Sequence, residues 1–291
     1  MDNLRNINFN RLKYLIPAIP LVLFVIIFFL LPQIAMVEFS LDESLAFGKI
    51  KDTFTFTNYI KFFTDKFYMK VLFKSFLLGL AVALVTIPFG YVLAYALWKS
   101  EGKKRKILYI CILFPLFTNL VVRLYGWRIM LSSAGPISWF LQAVGIADQP
   151  VNMLYNWPAV VLGLFVESVP YFVLILFSVL TLINPRYLDV AYDLGASSIK
   201  TFIKVTWPLS LPGVVAGGIL TYIWSFGAYA TPTILGQERH WTLAVHAERQ
   251  ILSLRDWPYG SAMGIIILFF TLLIMYVQSR LFKGAQTFRR N

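Results

Sequence analysis

Apolar residues in this chain neither alternate nor trace one face of a helix. They come in long, nearly uncharged runs. Tyr14 to Val37 carries no charge at all, and further runs cover Ser75 to Trp98, Ile107 to about Val122, Trp157 to Ile183, Pro212 to Leu235 and Ala262 to Ser279. About 20 apolar residues cross a bilayer as a helix, so the pattern predicts six transmembrane helices and an all-α fold. The first run is too long for a signal-peptide core and lacks a small-residue cleavage pattern, which predicts a retained first helix. Glu38 to Lys74 is mixed, rich in Phe and Lys, and alternates only weakly over TFTFTNYIKFF; a short interfacial helix is the simplest expectation. Residues 236–261 form a second polar segment, ahead of the last run.

One polar stretch is patterned differently. Asn184 to Leu209 reads NPRYLDVAYDLGASSIKTFIKVTWPL. Asn184 suits a helix cap and Pro185 a first helical position. Leu188, Ala191, Tyr192, Gly195, Ile199, Phe202 and Ile203 then follow at helical spacing, predicting one apolar face with Asp189, Asp193, Lys200 and Lys204 on its wetter sides. Ala191, Gly195 and Ala196 are small, so another protein surface can approach that backbone. Pro208 and Pro212 predict a break before the next run.

Composition agrees with a membrane chain. Of 291 residues, 58% are hydrophobic and 14% charged, with mean hydropathy +0.70; a soluble domain carries about 25% charge. The predicted organisation is a polar terminus over 1–13, one six-helix domain over 14–283 and a tail over 284–291, with no soluble catalytic domain. The net charge of +12 raises nucleic acid as a partner, but its distribution answers otherwise. With six spans, both termini, the KSEGKKRK loop after Trp98 and the 184–209 stretch share one side. That side holds fifteen Lys and Arg against four acids. The other side is nearly balanced. Basic excess marks the cytoplasmic face, so both termini and the 184–209 stretch are expected there. Cys111 lies alone in an apolar run, where a small core or lipid-facing residue is expected. His240 and His246 show no metal-ligand spacing.

The 184–209 stretch resembles the EAA loop of permease subunits of ABC importers, the binding-protein-dependent transport family. That pattern is EAA, three residues, Gly, nine residues, then I-x-L-P. Here Asp189-Val190-Ala191, Gly195 and Val205-Thr206-Trp207-Pro208 keep the spacing. Asp189, Val190, Val205 and Trp207 depart from it conservatively. Residues 119–146 are similar to the outer region of permeases of the polyamine, opine and phosphonate group, with Arg123, Tyr125, Trp127, Gly135 and Gly145 in matching places. WSFGAYATPTILG (residues 224–236) resembles that group's FGxFxxPxLLG stretch, and RDWPYGSAMGI (residues 255–265) its DWPxASA segment. Polyamine permeases often place Glu after the Gly of FGxF; Ala228 stands there. The resemblance covers most of residues 115–280.

The resemblance implies a type I ABC importer permease fold in the bacterial cytoplasmic membrane. It implies a complex with a second permease, commonly a different homologous chain, two ATP-binding cassette ATPase subunits and an external substrate-binding protein. It places ATPase coupling on Asp189, Val190, Ala191, Asp193, Gly195, Ala196 and Ser197. Transport would proceed by alternating access, moving a small polar solute of the polyamine, opine or phosphonate class. No cofactor is expected on this chain, ATP and Mg belonging to the ATPase.

The residues themselves agree with a non-enzymatic chain. There is no GxxxxGK[ST], HExxH, Ser-nucleophile elbow or CxxC. Energy for active transport must come from another chain. An ion-coupled carrier or channel, needing no ATPase, is the alternative; a membrane enzyme or assembly factor lacks a visible constellation. Glu167 is the one acid inside an apolar run. A carboxylate at that depth costs roughly 2.5–3.5 kcal/mol on insertion scales, so it faces a cavity or a partner. Two readings stay open: a pathway carboxylate for a cationic or amine-bearing substrate, with Tyr171, Trp224 and Tyr229 beside it, or an inter-helix or inter-subunit hydrogen bond.

Overall fold

The computed structural model describes residues 19–45, 50–51 and 53–287; the expected polar terminus at 1–13, the start of the first run and residues 288–291 lie outside them. The chain divides into two compact units, Met1–Thr64 with Ala247–Ile266, and Asp65–His246 with Ile267–Asn291.

In the first unit, helix α1 spans Ile19–Leu41 and exposes nearly every apolar side chain, as a lipid-facing span does. Strands β1 (Glu43–Ser44) and β2 (Ile50–Lys51) pair antiparallel, a small exception to the all-α expectation. Helix α2 (Thr57–Thr64) returns against the end of α1. Asn58, buried, donates to the Ser40 and Asp42 carbonyls at 3.1 and 2.8 Å and ties the hairpin to both helices.

The second unit is built on three long helices: α3 (Lys66–Lys99), α7 (Trp157–Thr181) and α9 (Ser198–Phe226). Their packing follows from glycine. A Cβ at Gly213 or Gly217 of α9 would meet Val179 at 2.9 Å and Phe172 at 2.7 Å of α7, and one at Gly218 would meet Ile87 of α3 at 3.2 Å. Close backbone approach drives helix association in lipid, where apolar burial alone gives little. Phe172, Leu176, Leu180, Ala94, Leu97 and Val214 form the resulting core.

The remaining elements follow in chain order. Helix α4 is Gly102–Leu113, continued by a 3₁₀ turn Phe114–Phe117; α5 is Leu120–Leu131 and α6 Pro136–Ala143. Helix α8 is Arg186–Asp193 and α10 Ala230–Leu235; after a 3₁₀ turn at Glu238–His240 come α11 (Leu243–Leu252) and α12 (Trp257–Thr287). Among the described residues five helices are long and apolar enough to span, six when the bent α4–α6 region counts as one.

Four expectations change. The second run starts at Lys66, so residues 66–74 are helix rather than a mixed segment, with Asp65 capping Phe67. The third run is not one helix: its two halves lie 101° apart. Asn119 accepts from the Val121 and Val122 amides and starts a new helix, while Thr118 is extended. The fifth run does not begin at a proline break. A π-helical stretch, Phe202–Thr206, leads into Trp207 without interruption, and Pro208 falls in the first turn, where its missing N–H costs least. That helix stops at Gly227 rather than Leu235. The single helix expected over 184–209 is two helices, for reasons that lie at Gly195.

Candidate functional site

Glu167 sits mid-way along α7, three residues before Pro170, and is 3% exposed. Trp224 Nε1 donates to its Oε2 at 3.3 Å, and Thr231 Oγ1 donates to its Oε1. Trp224 belongs to α9 and Thr231 to α10, so one carboxylate joins three elements. The Trp224 ring lies 5.7 Å from the Tyr171 ring, tilted by 32°. Both rings are roughly half-exposed. The carboxylate therefore meets the Trp224 ring at its N–H edge, beside an aromatic pair that is partly exposed. At the next position of α7, Ser168 shares a hydrogen bond with Thr86 of α3 at 3.2 Å.

Of the four residues expected together, Glu167, Tyr171 and Trp224 converge. Tyr229, half-exposed, heads the short helix that carries Thr231. Sequence reasoning missed Thr231 and the nearness of Arg123. Arg123, on the first turn of α5, donates through Nη1 to the Pro115 carbonyl at 2.6 Å, while its Nε is buried without a partner. Its charge reaches Glu167. Thr231 is 64 residues from Glu167 in sequence, and only the ATP turn of the FGxFxxPxLLG-like stretch hinted that its neighbourhood mattered.

The second candidate region is the 184–209 stretch. Asn184 Oδ1 accepts from the Arg186 amide at 3.0 Å, as a cap should. At the other end of α8 the Gly195 amide bonds the Tyr192 carbonyl and the Ala196 amide the Ala191 carbonyl, both at 2.9 Å. This pair is the Schellman arrangement, which needs a left-handed residue; Gly195 supplies it with φ +78°. Ser197 Oγ then caps the next helix through the Lys200 amide at 3.4 Å. Ala191, Gly195, Ala196 and Ser197 thus build a helix–turn–helix.

That turn divides the face expected to be continuous. Leu188 is buried, while Val190, Tyr192, Ile199 and Ile203 are exposed and Leu194 is 83% exposed. Asp189 and Asp193 are also exposed. Nothing lies within 4 Å of a Cβ placed at Gly195. Beside α8 a cleft of about 370 Å³ is lined by Tyr187, Lys204, Val205, Pro208 and Leu209.

The loops beyond α10 carry one titratable group of interest. The Gln237 amide donates to His240 Nδ1 at 3.2 Å, which requires that nitrogen to be unprotonated. Burial, then the nearby Arg239 and Lys74 cations, hold His240 below the ordinary imidazole range. Lys74 Nζ in turn donates to the Arg239 carbonyl at 3.0 Å.

Helices long and apolar enough to cross a bilayer, packed around a buried carboxylate and carrying an exposed helical turn, are the frame of a multi-span membrane protein. The chain belongs to the family of binding-protein-dependent transport system inner membrane components, matching it over residues 86–286. It is 31% identical over 259 residues to the spermidine/putrescine transport system permease protein PotB of Escherichia coli (strain K12), covering 88% of this chain and 94% of that one. The PotB of Salmonella typhimurium (strain LT2) is 32% identical over 259 residues, covering 88% and 90%. The inner membrane ABC transporter permease protein YdcU of E. coli is 26% identical, over 68% of this chain and 64% of that one. In fold, the chain matches the bacterial ABC transporter that imports the acidic polysaccharide alginate, with TM-score 0.77 and 17% identity over 96% of this chain and 99% of that one. The fold is that of a type I ABC importer permease.

Proposed function

We propose that this chain is the permease subunit of an ATP-binding cassette importer that carries an amine-bearing, polyamine-like solute into the cytoplasm. It works with a second permease, a homologous different chain, with two ATPase subunits and with an external binding protein. ATP and Mg are held by the ATPase; no cofactor belongs to this chain. The observation that carries the substrate class is the Glu167 carboxylate, held by Trp224 and Thr231 at the edge of a half-open aromatic pair. A buried carboxylate beside partly exposed aromatic rings suits an ammonium group through charge and cation–π attraction. The relatives named for spermidine and putrescine support that choice.

Coupling falls to the α8 turn. Asp189, Val190, Ala191, Asp193, Gly195, Ala196 and Ser197 offer the ATPase a small-residue turn edged by uncovered Val190 and Leu194. An apolar crown of that size on a polar loop fits a protein partner. Both termini and this turn face the cytoplasm, on the balance of basic residues.

Two measurements test the reading. Cysteine placed at exposed Lys103 and Gln237, in a Cys111→Ser background, is expected to label from inside and outside respectively. External labelling at position 103 in intact cells reverses the topology. Purification of the tagged chain in mild detergent is expected to bring an ATPase with it; uptake that persists in the absence of any ATPase would favour a carrier or channel.

A further inference from the structure

Three elements meet beside Glu167. One turn earlier on α7, a Cβ at Gly163 would meet Thr231 and Leu235 of α10 at 2.6 Å and Leu124 of α5 at 3.8 Å. Arg123 immediately precedes Leu124. Its guanidinium spends one prong on the Pro115 carbonyl, at the bend between α4 and α5. Its Nε is buried and bonds nothing. Its charge acts on Glu167, yet the two form no ion pair. Glu167 accepts from two donors, and a carboxylate has about four lone-pair sites. A partly buried cation with a buried, unused Nε donor and a buried anion with unused acceptors therefore stand near each other without closing.

We propose that Arg123 and the ammonium group of the substrate compete for the Glu167 carboxylate, Arg123 closing on it as the site empties. The inference rests on Glu167 being the amine site. A carboxylate that releases an amine at membrane depth is left without a counter-charge, and that state opposes release. A guanidinium keeps its charge in any surroundings and can offer a fork of donors. The bond to Pro115 gives it a reason to move. Any change in the bend of the third span carries the guanidinium toward or away from α7.

The alternative is that Arg123 only staples that bend. Spermidine uptake by the whole complex in proteoliposomes separates the two, with KM and kcat read apart. Arg123→Gln removes the competitor: KM is expected to fall about tenfold, the worth of one charge-assisted contact, while kcat also falls because release slows. In a Glu167→Gln background the same substitution should change neither. Arg123→Lys keeps the charge without the fork. It should give a smaller shift of the same sign and the same dependence on Glu167, and it carries the test if Arg123→Gln does not assemble. Equal effects of the Arg123 substitutions with and without Glu167 overturn the competition and leave a staple. Unchanged uptake by Glu167→Gln alone, or no spermidine uptake by the wild-type complex, overturns the amine site itself before Arg123 is considered.

Discussion

The Glu167 nest and the α8 turn are opposites in how they are made. The nest hides a charge: one carboxylate, almost fully buried, is held by donors from two other helices. The turn shows its apolar residues: Leu194, Val190 and Ile199 stand in the open while the backbone beneath them is closed by local hydrogen bonds. Each inverts the usual rule for its setting. The cost of a buried carboxylate is met by long-range contacts within the chain. The cost of an exposed apolar crown is met by nothing within the described residues, so it points to another molecule. A site for a small solute and a site for a protein are thus distinguishable by where their missing partner lies.

The largest effect is expected at Gly195. Gly195→Leu forces a branched residue into left-handed backbone, at about 1–2 kcal/mol, and sets it in the space the partner would use. Uptake should be lost while the chain still inserts. Gly195→Asn tolerates the left-handed conformation and should keep much of the uptake. Equal loss in both variants would show that any side chain blocks the contact, and normal uptake by Gly195→Leu would end the special status of the turn.

A smaller effect is expected in the nest. Thr231→Val preserves shape and removes one donor from the carboxylate, a loss of about 1–3 kcal/mol. Uptake should fall by roughly tenfold, less than for Glu167→Gln. A loss as large as that of Glu167→Gln would assign the work to the hydroxyl.

The smallest effect lies at His240. Its proton affinity is lower folded than unfolded, so the unfolded chain binds the extra proton first on acidification. The stability that the neutral ring provides is complete above about pH 6.5 and is lost as pH falls through the unfolded value towards the lower folded one. Thermal unfolding measured between about pH 8 and pH 5 should show this decline. His240→Gln, which cannot titrate, should flatten it; an unchanged slope would locate the pH response elsewhere.

Much of this was legible in the sequence, for physical reasons that differ by region. Long apolar runs announce spans because lipid accepts little else, and small residues inside the fifth run, Gly213 and Gly217, allow the close α7–α9 packing. The α8 turn was legible as a motif but not as a shape: spacing alone made Gly195 a face residue, whereas its φ makes it a hinge between two helices. The bend of the third span escaped because Thr118 and Asn119 are only two polar residues in a long apolar context. Thr231 and Arg123 escaped because their partners are far away in sequence, and periodicity reports only on near neighbours.

The π-helical stretch Phe202–Thr206 has one more consequence. A wider turn holds one residue more than the α-helix around it, and one residue is about 100° of rotation. The stretch therefore acts as a phase shifter between the turn at Gly195 and the span that follows. Delete a single residue there, and the regular helix that results would carry Gly213 and Gly217 a quarter-circle or more away from Phe172 and Val179. The apolar content of the span would be unchanged, yet its smooth side would face lipid and its bulky side the core. The fit of this helix to its neighbours is set by angle, and the angle is kept by one surplus residue.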